Sequence, residues 1–557
     1  MKRKILFWVL YIVPFLGLGQ GHFYVEWKNG KTVFSDSIKA KIAADSVHRT
    51  IQAQGFLESE IEKGISGDTL WYIIKEGPIY SWTWIDSNEI PESYQKQLDP
   101  PGSGYSEPYH WLDEVLRISE NSGYPFASVQ LDSIQVDGKS LQGKVRYESG
   151  PLIVWDSVSL PKSSKTSPIY LQLFSGLEIG EPFSQKQFEN SIQKIRRSHY
   201  FTLNGSPEIN FQNRTAIASF PIQERKVNVF DGVIGFLPNE NEQGNLLVTG
   251  QVDLQLFHLG GKGRDIALQW QRLNIQSQSL ELGYREAFIF RSKLDFGFQF
   301  SLLKQDTSFV NREFELDFGY QISDAGYLRF FTNRKSGDLL NSNLDQGTNN
   351  LPSALDYRWT QYGLKGEWDL RDEVVFPRRG TLIKANFSVG NKRILENTGI
   401  PVEAYAEISE SSLQIQGGIT GEKHVYMNPF WGMWVKGSAG ILQNDNLFLN
   451  EYFRLGGLKT IRGFNEKFFF ARSYGFLSFE QRLFFGENTY LMVFTDVGIL
   501  NNPYNSPKKD KPFSFGTGIN LDTGGGLFSF VFALGKSNIQ PLSFEYARVH
   551  FGYLARF

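Results

Sequence analysis

Two periodicities divide the chain. Up to about residue 226, stretches with apolar positions at helical spacing alternate with short strand pairs. From Val227 onward nearly every segment alternates apolar and polar positions and ends in a turn. Successive side chains of a strand point to opposite faces, so this long series predicts one sheet with an apolar and a polar surface. Strands are expected to begin near Val227, Gly244, Arg264, Gln276, Ser292, Val310, Ala325, Leu355, Gly380, Tyr405 and Asn428. After a long glycine-rich loop come Ser473 to Phe485, Thr489 to Gly498, Phe513 to Leu521, Leu527 to Gly535 and Phe544 to Phe557, about sixteen in all. The last carries the sharpest signal. Ala547, Val549, Phe551, Tyr553, Ala555 and Phe557 are apolar or small and share a face, and the strand ends on an aromatic carboxy-terminus with no turn to cover it. That face suits lipid. The expected fold is an about 16-stranded antiparallel transmembrane β-barrel over residues 227–557, the even number that single-chain bacterial barrels use.

Alternation also assigns the lumen. In the first strand after the glycine-rich loop, Leu477, Phe479 and Leu483 share one face, which puts Ser478, Glu480 and Arg482 on the other. In the next, Leu491, Val493 and Val497 face lipid, and Phe494, Asp496 and Gly498 face inward. Two carboxylates, Glu480 and Asp496, therefore look into one interior from neighbouring strands.

The front of the chain repeats itself. A helix from about Ser35 to Gln54 is followed by a strand pair ending at Thr69 to Glu76, the break Gly77-Pro78 and an aromatic strand Ile79 to Ile85. A second helix, Pro108 to Asn121, leads to a hairpin turning at Asp137-Gly138, the break Gly150-Pro151 and a strand Ile153 to Leu160. A third copy has its helix at Gln185 to Arg197 and a closing strand Ala216 to Glu224. Self-similarity of this kind marks a repeated supersecondary unit. The expected organisation is a leader at 1–19, repeats at 20–84, 85–152 and 153–226, and the barrel at 227–557. The first repeat shows no clear opening strand, so its completeness stays open.

Composition changes the picture in four ways. Lys2, Arg3 and Lys4 precede an apolar run from Ile5 to about Gly19, which reads as a cleaved secretory signal; the run falls short of the ~20 residues of a spanning helix. The absence of cysteine rules out a lipidated amino-terminal cysteine, a disulfide framework and a thiolate metal site. A net charge of −2 leaves no bulk electrostatic footprint for nucleic acid. Aromatic residues at 15% and 54 glycines, with a mean hydropathy of −0.30, suit a barrel whose alternation hides its apolar face from averaged scales. No Gly-x-Ser-x-Gly elbow, Walker loop or His-Glu-x-x-His is present, and Gly260 to Gly263 and Gly524 to Gly526 read as turns. Neither an enzyme nor a cofactor is expected.

The loop before strand 12 holds Phe453-Arg454-Leu455-Gly456-Gly457 and then Leu458-Lys459-Thr460-Ile461-Arg462-Gly463-Phe464. It resembles the sixth-loop motif of the BamA/TamA superfamily of outer-membrane assembly and secretion barrels. The stretch Asp369-Leu370-Arg371-Asp372 with Pro377 and Gly380 is similar to that family too, as are Phe494-x-Asp496-x-Gly498 and Gly516-x-Gly518. The α+β repeats resemble the family's POTRA domains, and the motifs with the repeats cover nearly the whole chain. The resemblance implies that the Arg462-Gly463-Phe464 tip folds back into the lumen. A guanidinium taken out of bulk water needs forked carboxylate partners, which Glu480 and Asp496 could supply; the alternative is that these two merely line a wet pore.

Function then turns on closure. A barrel must pair its first strand with its last, because an unpaired backbone group in lipid costs several kcal/mol. Gly232 and Gly235 in the first strand, with Gly552 and the terminal Phe557 in the last, mark a lateral seam that glycine weakens. The resemblance implies an outer-membrane assembly factor that folds unfolded barrel clients at this seam. Its repeats would be periplasmic, taking extended segments on open sheet edges or serving only as spacers. Periplasmic or lipoprotein accessory factors and the lipid bilayer are the further partners. The alternative is a two-partner-type secretion pore exporting one dedicated protein through the lumen.

Overall fold

The computed structural model describes residues 23–238, 246–274, 276–323, 325–341, 351–373, 376–486, 488–523 and 526–557. The expected leader, the expected start of the second strand near Gly244 and most of the Gly524 to Gly526 turn lie outside them. Within this set the period-two region forms a closed antiparallel barrel. Its sixteen long strands, numbered here 1 to 16, run from Val229–Pro238 to Arg548–Arg556, with the two-residue strand Lys509–Asp510 extending the end of strand 13.

Strand 13 (Tyr490–Asn501) shows why the sequence closes this way: Tyr490, Met492, Phe494, Asp496, Gly498 and Leu500 are buried, while Leu491, Val493, Val497 and Ile499 are exposed. An outward belt of Leu, Ile, Val and Phe side chains continues through Phe387, Ile419, Leu477, Phe530 and Phe551. In water that would be an unsupported apolar surface of many hundreds of Å²; in a bilayer it is the solvent-matched face. The inward positions hold polar groups such as Gln251, Asp253, Glu315, Asn333 and Gln414. No described helix is long and apolar enough to cross a membrane.

The amino-terminal region is α+β, with small mixed sheets resembling POTRA repeats. Helix Ser37–Ala53 is capped by Asp36, which accepts from the Ile38 amide at 2.7 Å, and its Ala40, Ala44 and Ile51 pack on Val25, Tyr72 and Ile74. Two short strands, Phe23–Trp27 and Gly30–Phe34, open this repeat, and the first pairs in parallel with Thr69–Lys75. Helix Glu107–Asn121 buries Trp111, Leu112 and Val115 against Val145. Strand Ser81–Asp86 pairs in parallel with Ser140–Glu148 and so belongs to the second sheet. A boundary at 84 cuts that strand, and we place the division at the Gly77-Pro78 break instead. The chain separates into two compact units, with the third repeat contributing segments to both.

Candidate functional site

The glycine-rich connection between strand 11 (Trp431–Gln443) and strand 12 (Ser473–Phe484) folds into the lumen. Two short strands, Phe453–Leu455 and Phe469–Ala471, pair at its base and close residues 456–468 into a tight tip. Gly456, Gly457 and Gly463 have φ of +112°, +96° and +82°, backbone that an L side chain rarely adopts. The sharp turn is held by the Thr460 hydroxyl, which accepts from the Gly456 amide at 2.8 Å, and by Glu466, which accepts from the Leu458 amide at 2.8 Å.

Arg462 is delivered into a buried ionic cluster. Its Nε donates to Asp496 Oδ2 at 2.9 Å and its Nη2 to Oδ1 at 2.6 Å, a side-on fork. Its Nη1 donates to Glu480 Oε2 at 2.7 Å, and its backbone amide to Asp496 Oδ2 at 2.9 Å. Arg462, Glu480 and Asp496 are 5%, 3% and 0% exposed. Burying charge is costly, and the forked, fully hydrogen-bonded geometry is what offsets it. The guanidinium also lies 3.6 Å from the centroid of the Phe494 ring, a favourable cation–π position. Phe464 is fully buried among Leu455, Ile461, Phe469, Phe476 and Leu500.

The surrounding glycines make room for this tip. A Cβ on Gly498 would meet Ile461 Cδ1 at 3.0 Å, one on Gly516 would meet Phe494 Cζ at 2.5 Å, and one on Gly463 would meet the backbone of Leu534 and Gly535 at 2.7 and 2.8 Å. The Phe494-x-Asp496-x-Gly498 pattern thus supplies a ring below the arginine, its carboxylate partner and a clearance for Ile461. Asp369 and Arg371 stay together in the turn after strand 8 (Tyr357–Asp369), with Arg371 Nε on Asp369 Oδ1 at 2.9 Å. Gly380 there has φ +116°, and a Cβ on it would meet the Arg371 Cα at 2.5 Å.

Three contributors were not singled out from sequence. Arg482 Nε donates to Glu480 Oε1 at 2.7 Å, so Glu480 bridges two arginines; alternation marked its lumenal position but not that role. Gln540 donates to the carbonyls of Gly463 at 3.1 Å and Gly535 at 3.0 Å, from a connection that carries no pattern. Arg454 stacks 3.7 Å from the Phe470 centroid and donates to Lys467 O at 2.8 Å.

The seam residues form a second group. Strand 1 pairs with strand 16 without interruption from Val229↔Arg556 to Phe236↔Val549, with Gly232 opposite Tyr553, Val233 opposite Gly552 and Gly235 opposite His550. The Phe557 amide extends the ladder by donating to Asn228 O at 3.1 Å. The barrel is therefore closed here. A Cβ on Gly232 or Gly552 would find its nearest neighbour at 3.7 or 3.6 Å, whereas one on Gly235 would meet Thr249 Oγ1 at 2.5 Å; only Gly235 is required by space. The two groups do not touch directly. They are joined by the loop, since Leu458 and Lys459 line a cavity of about 240 Å³ behind the seam with Asp231, Val233, His550 and Gly552, and Lys459 reaches Asp253 at 3.4 Å.

A closed sixteen-stranded membrane barrel with an arginine-tipped loop locked in its lumen, preceded in the chain by α+β repeats resembling POTRA domains, defines a class of bacterial outer-membrane protein. The model of the Omp85 superfamily domain matches residues 258–555. The chain belongs to the Omp85 superfamily. Among solved structures it resembles CdiB from Acinetobacter baumannii (TM-score 0.53, 10% identity, covering 93% of this chain and 98% of that one). CdiB from Escherichia coli gives TM-score 0.53 at 12% identity, with the same shares of 93% and 98%. BamA from Haemophilus ducreyi lacking POTRA domains 1-3 aligns over 86% of this chain and 100% of that one at 14% identity and TM-score 0.48. The CdiB likeness is one of fold. No curated protein matches the sequence.

Proposed function

We propose that this protein folds and inserts other outer-membrane barrels at the seam between strands 1 and 16, without covalent chemistry, its repeats lying in the periplasm and passing extended clients to that edge. The observation that carries this reading is the loop's course. Its tip is fixed to strands 12 and 13 by the Arg462 cluster and rests on strand 15 (Gly526–Lys536) through Gly463. Its Lys459 meanwhile stands behind strand 1. The loop thus runs from the Arg462 cluster to the lumenal side of the seam, whose two strands are joined by an unbroken ladder. Opening that ladder in lipid strips backbone groups of partners at several kcal/mol each, so the seam opens only as an incoming strand replaces the pairing.

The chain's lack of cysteine makes the test clean. A disulfide between Val233→Cys and Gly552→Cys, which are register partners, is expected to halt client assembly in cells until reduced. A loop tethered to the wall through Ile461→Cys and Gly498→Cys is expected to leave assembly intact. The reverse pattern, with seam locking tolerated and loop tethering blocking export of one soluble protein, would replace assembly with the secretion-pore reading.

A further inference from the structure

The turn Gly260 to Gly263 joins strand 2 (Leu246–Leu259) to strand 3 (Arg264–Arg272). Just before it the ladder shifts register between Leu256 and Leu259, a bulge, and His258 takes a φ of +54°. Bulges re-aim a side chain, and a non-glycine residue held at positive φ carries strain that its surroundings must offset. The re-aimed imidazole enters the third repeat. Its ring centroid lies 4.5 Å from that of Tyr170, on helix Pro168–Ser175, and 5.3 Å from those of Tyr200 and Phe201, at strand Phe201–Leu203. These segments of the repeat share one compact unit with the barrel.

Hydrogen bonds decide which ring nitrogen carries the proton. The Gly263 amide donates to His258 Nδ1 at 3.1 Å, so Nδ1 is the bare nitrogen and Nε2 the protonated one. Nε2 then donates to Thr166 Oγ1 at 3.1 Å, and the Thr166 hydroxyl donates to Glu224 at 2.9 Å. One directed chain thus runs from the barrel turn into the repeat. Beside it the Ser167 amide donates to Gly261 O at 2.9 Å. A Cβ on Gly261 would fall on the Lys165 carbonyl and one on Gly263 on the Tyr170 ring, so only glycine lets the two surfaces come this close. Neighbouring domains move against each other by default unless such an interface holds them, and only the short linker between Glu224 and Val229 joins these two along the chain. We propose that His258 is the pin of a fixed joint: it holds these segments of the third repeat against the turn after strand 2, so that they do not swing on the linker. On the assembly reading, on which this consequence rests, an extended client reaches the seam past a stationary repeat.

The test uses the full chain in maltoside micelles at pH 7. Asparagine tolerates positive φ and can set an acceptor where Nδ1 stands, but it neither reaches Thr166 nor fills the space between the aromatic rings. His258→Asn is therefore expected to cost the Ser167 amide at least tenfold in hydrogen-exchange protection while the Gly263 amide keeps its own. Gly263→Ala, which drives a methyl into the Tyr170 ring, should do the same at Ser167, with unchanged heat-modifiable gel mobility showing that both barrels are intact. Because the chain has no cysteine, spin labels can be placed at Asn190→Cys in the repeat and Ile322→Cys in a barrel turn, both exposed. One narrow distance is expected, broadened by His258→Asn. Two distances or a broad distribution in the otherwise unaltered chain, or Ser167 protection that His258→Asn leaves unchanged, would overturn the fixed joint. Neither readout depends on client assembly.

Discussion

Asp496→Asn is the most direct probe of the loop lock, because it preserves shape and removes charge. Asp496 accepts three bonds from Arg462, two from the guanidinium and one from the backbone amide, and a fourth from Ser514 at 3.4 Å. The asparagine amide turns one of its two positions into a donor, so the side-on fork is lost, and Arg462 must share Glu480 with Arg482. Removing one member of a buried pair costs about 3–5 kcal/mol. Glu480 remains, which sets the expectation at the lower end, about 3 kcal/mol, or roughly a hundredfold in the ratio of docked to released loop. Amide hydrogen exchange reads this directly. Residues 456–468 are expected to lose about two orders of magnitude of protection, the Arg462 amide most of all, while strands 12 and 13 keep theirs. Unchanged protection at the tip would refute the claim that the ionic cluster holds it.

Arg462→Ala is expected to leave the barrel inserted, with normal heat-modifiable mobility, and to slow client assembly in a reconstituted folding assay; full activity would remove the loop from the mechanism. Phe464→Ala deletes a fully buried ring and is expected to release the tip by about 3–5 kcal/mol, measured by protease cleavage within 456–468. In the third repeat, burial pushes the Glu224 carboxyl up, but bonds from the Ser164 hydroxyl at 2.6 Å, the Thr166 hydroxyl at 2.9 Å and the Lys165 amide at 2.9 Å outweigh it and hold it below its ordinary 4.5. A depressed carboxyl stabilises above its unfolded pKa and loses that stabilisation as pH falls through the folded value. Exchange protection at residues 164–166 should therefore drop in acid below pH 4.5, and Glu224→Gln should abolish that pH dependence.

The barrel was legible because one side chain in two must face lipid, and that constraint writes itself along every strand. Strand 12 was expected at Ser473 to Phe485 and runs Ser473–Phe484. The errors fall where apolar residues serve another purpose. Strands 10 and 16 were expected from Tyr405 and Phe544 but begin at Ser411 and Arg548, because those two aromatic residues lie in single 3-10 turns, Val402–Tyr405 and Phe544–Tyr546. The opening strands Phe23–Trp27 and Gly30–Phe34 turn Phe23, Val25, Trp27 and Phe34 toward the core, but at five residues each they are too short for a period of two to stand out. Gln540 was equally silent, since nothing in a period reveals which lumenal donors meet an acceptor.

Why the tip is held by charge follows from what each chemistry can specify. Well-packed apolar groups of similar volume are often as stabilising as a buried ion pair, and Phe464 already supplies an apolar anchor. A ring in a greasy pocket, however, tolerates small shifts, whereas Asp496 binds both the guanidinium fork and the backbone amide of one residue and so admits a single register. Glycines at 463, 498 and 535 tighten that choice, because a Cβ at any of them would press on the tip or on the wall it meets. Fixing the tip fixes where Lys459 stands, three residues earlier and behind strand 1. The ionic cluster thus sets the position of the loop behind the seam from a distance, and any group that competes for Glu480 or Asp496 is expected to shift it there.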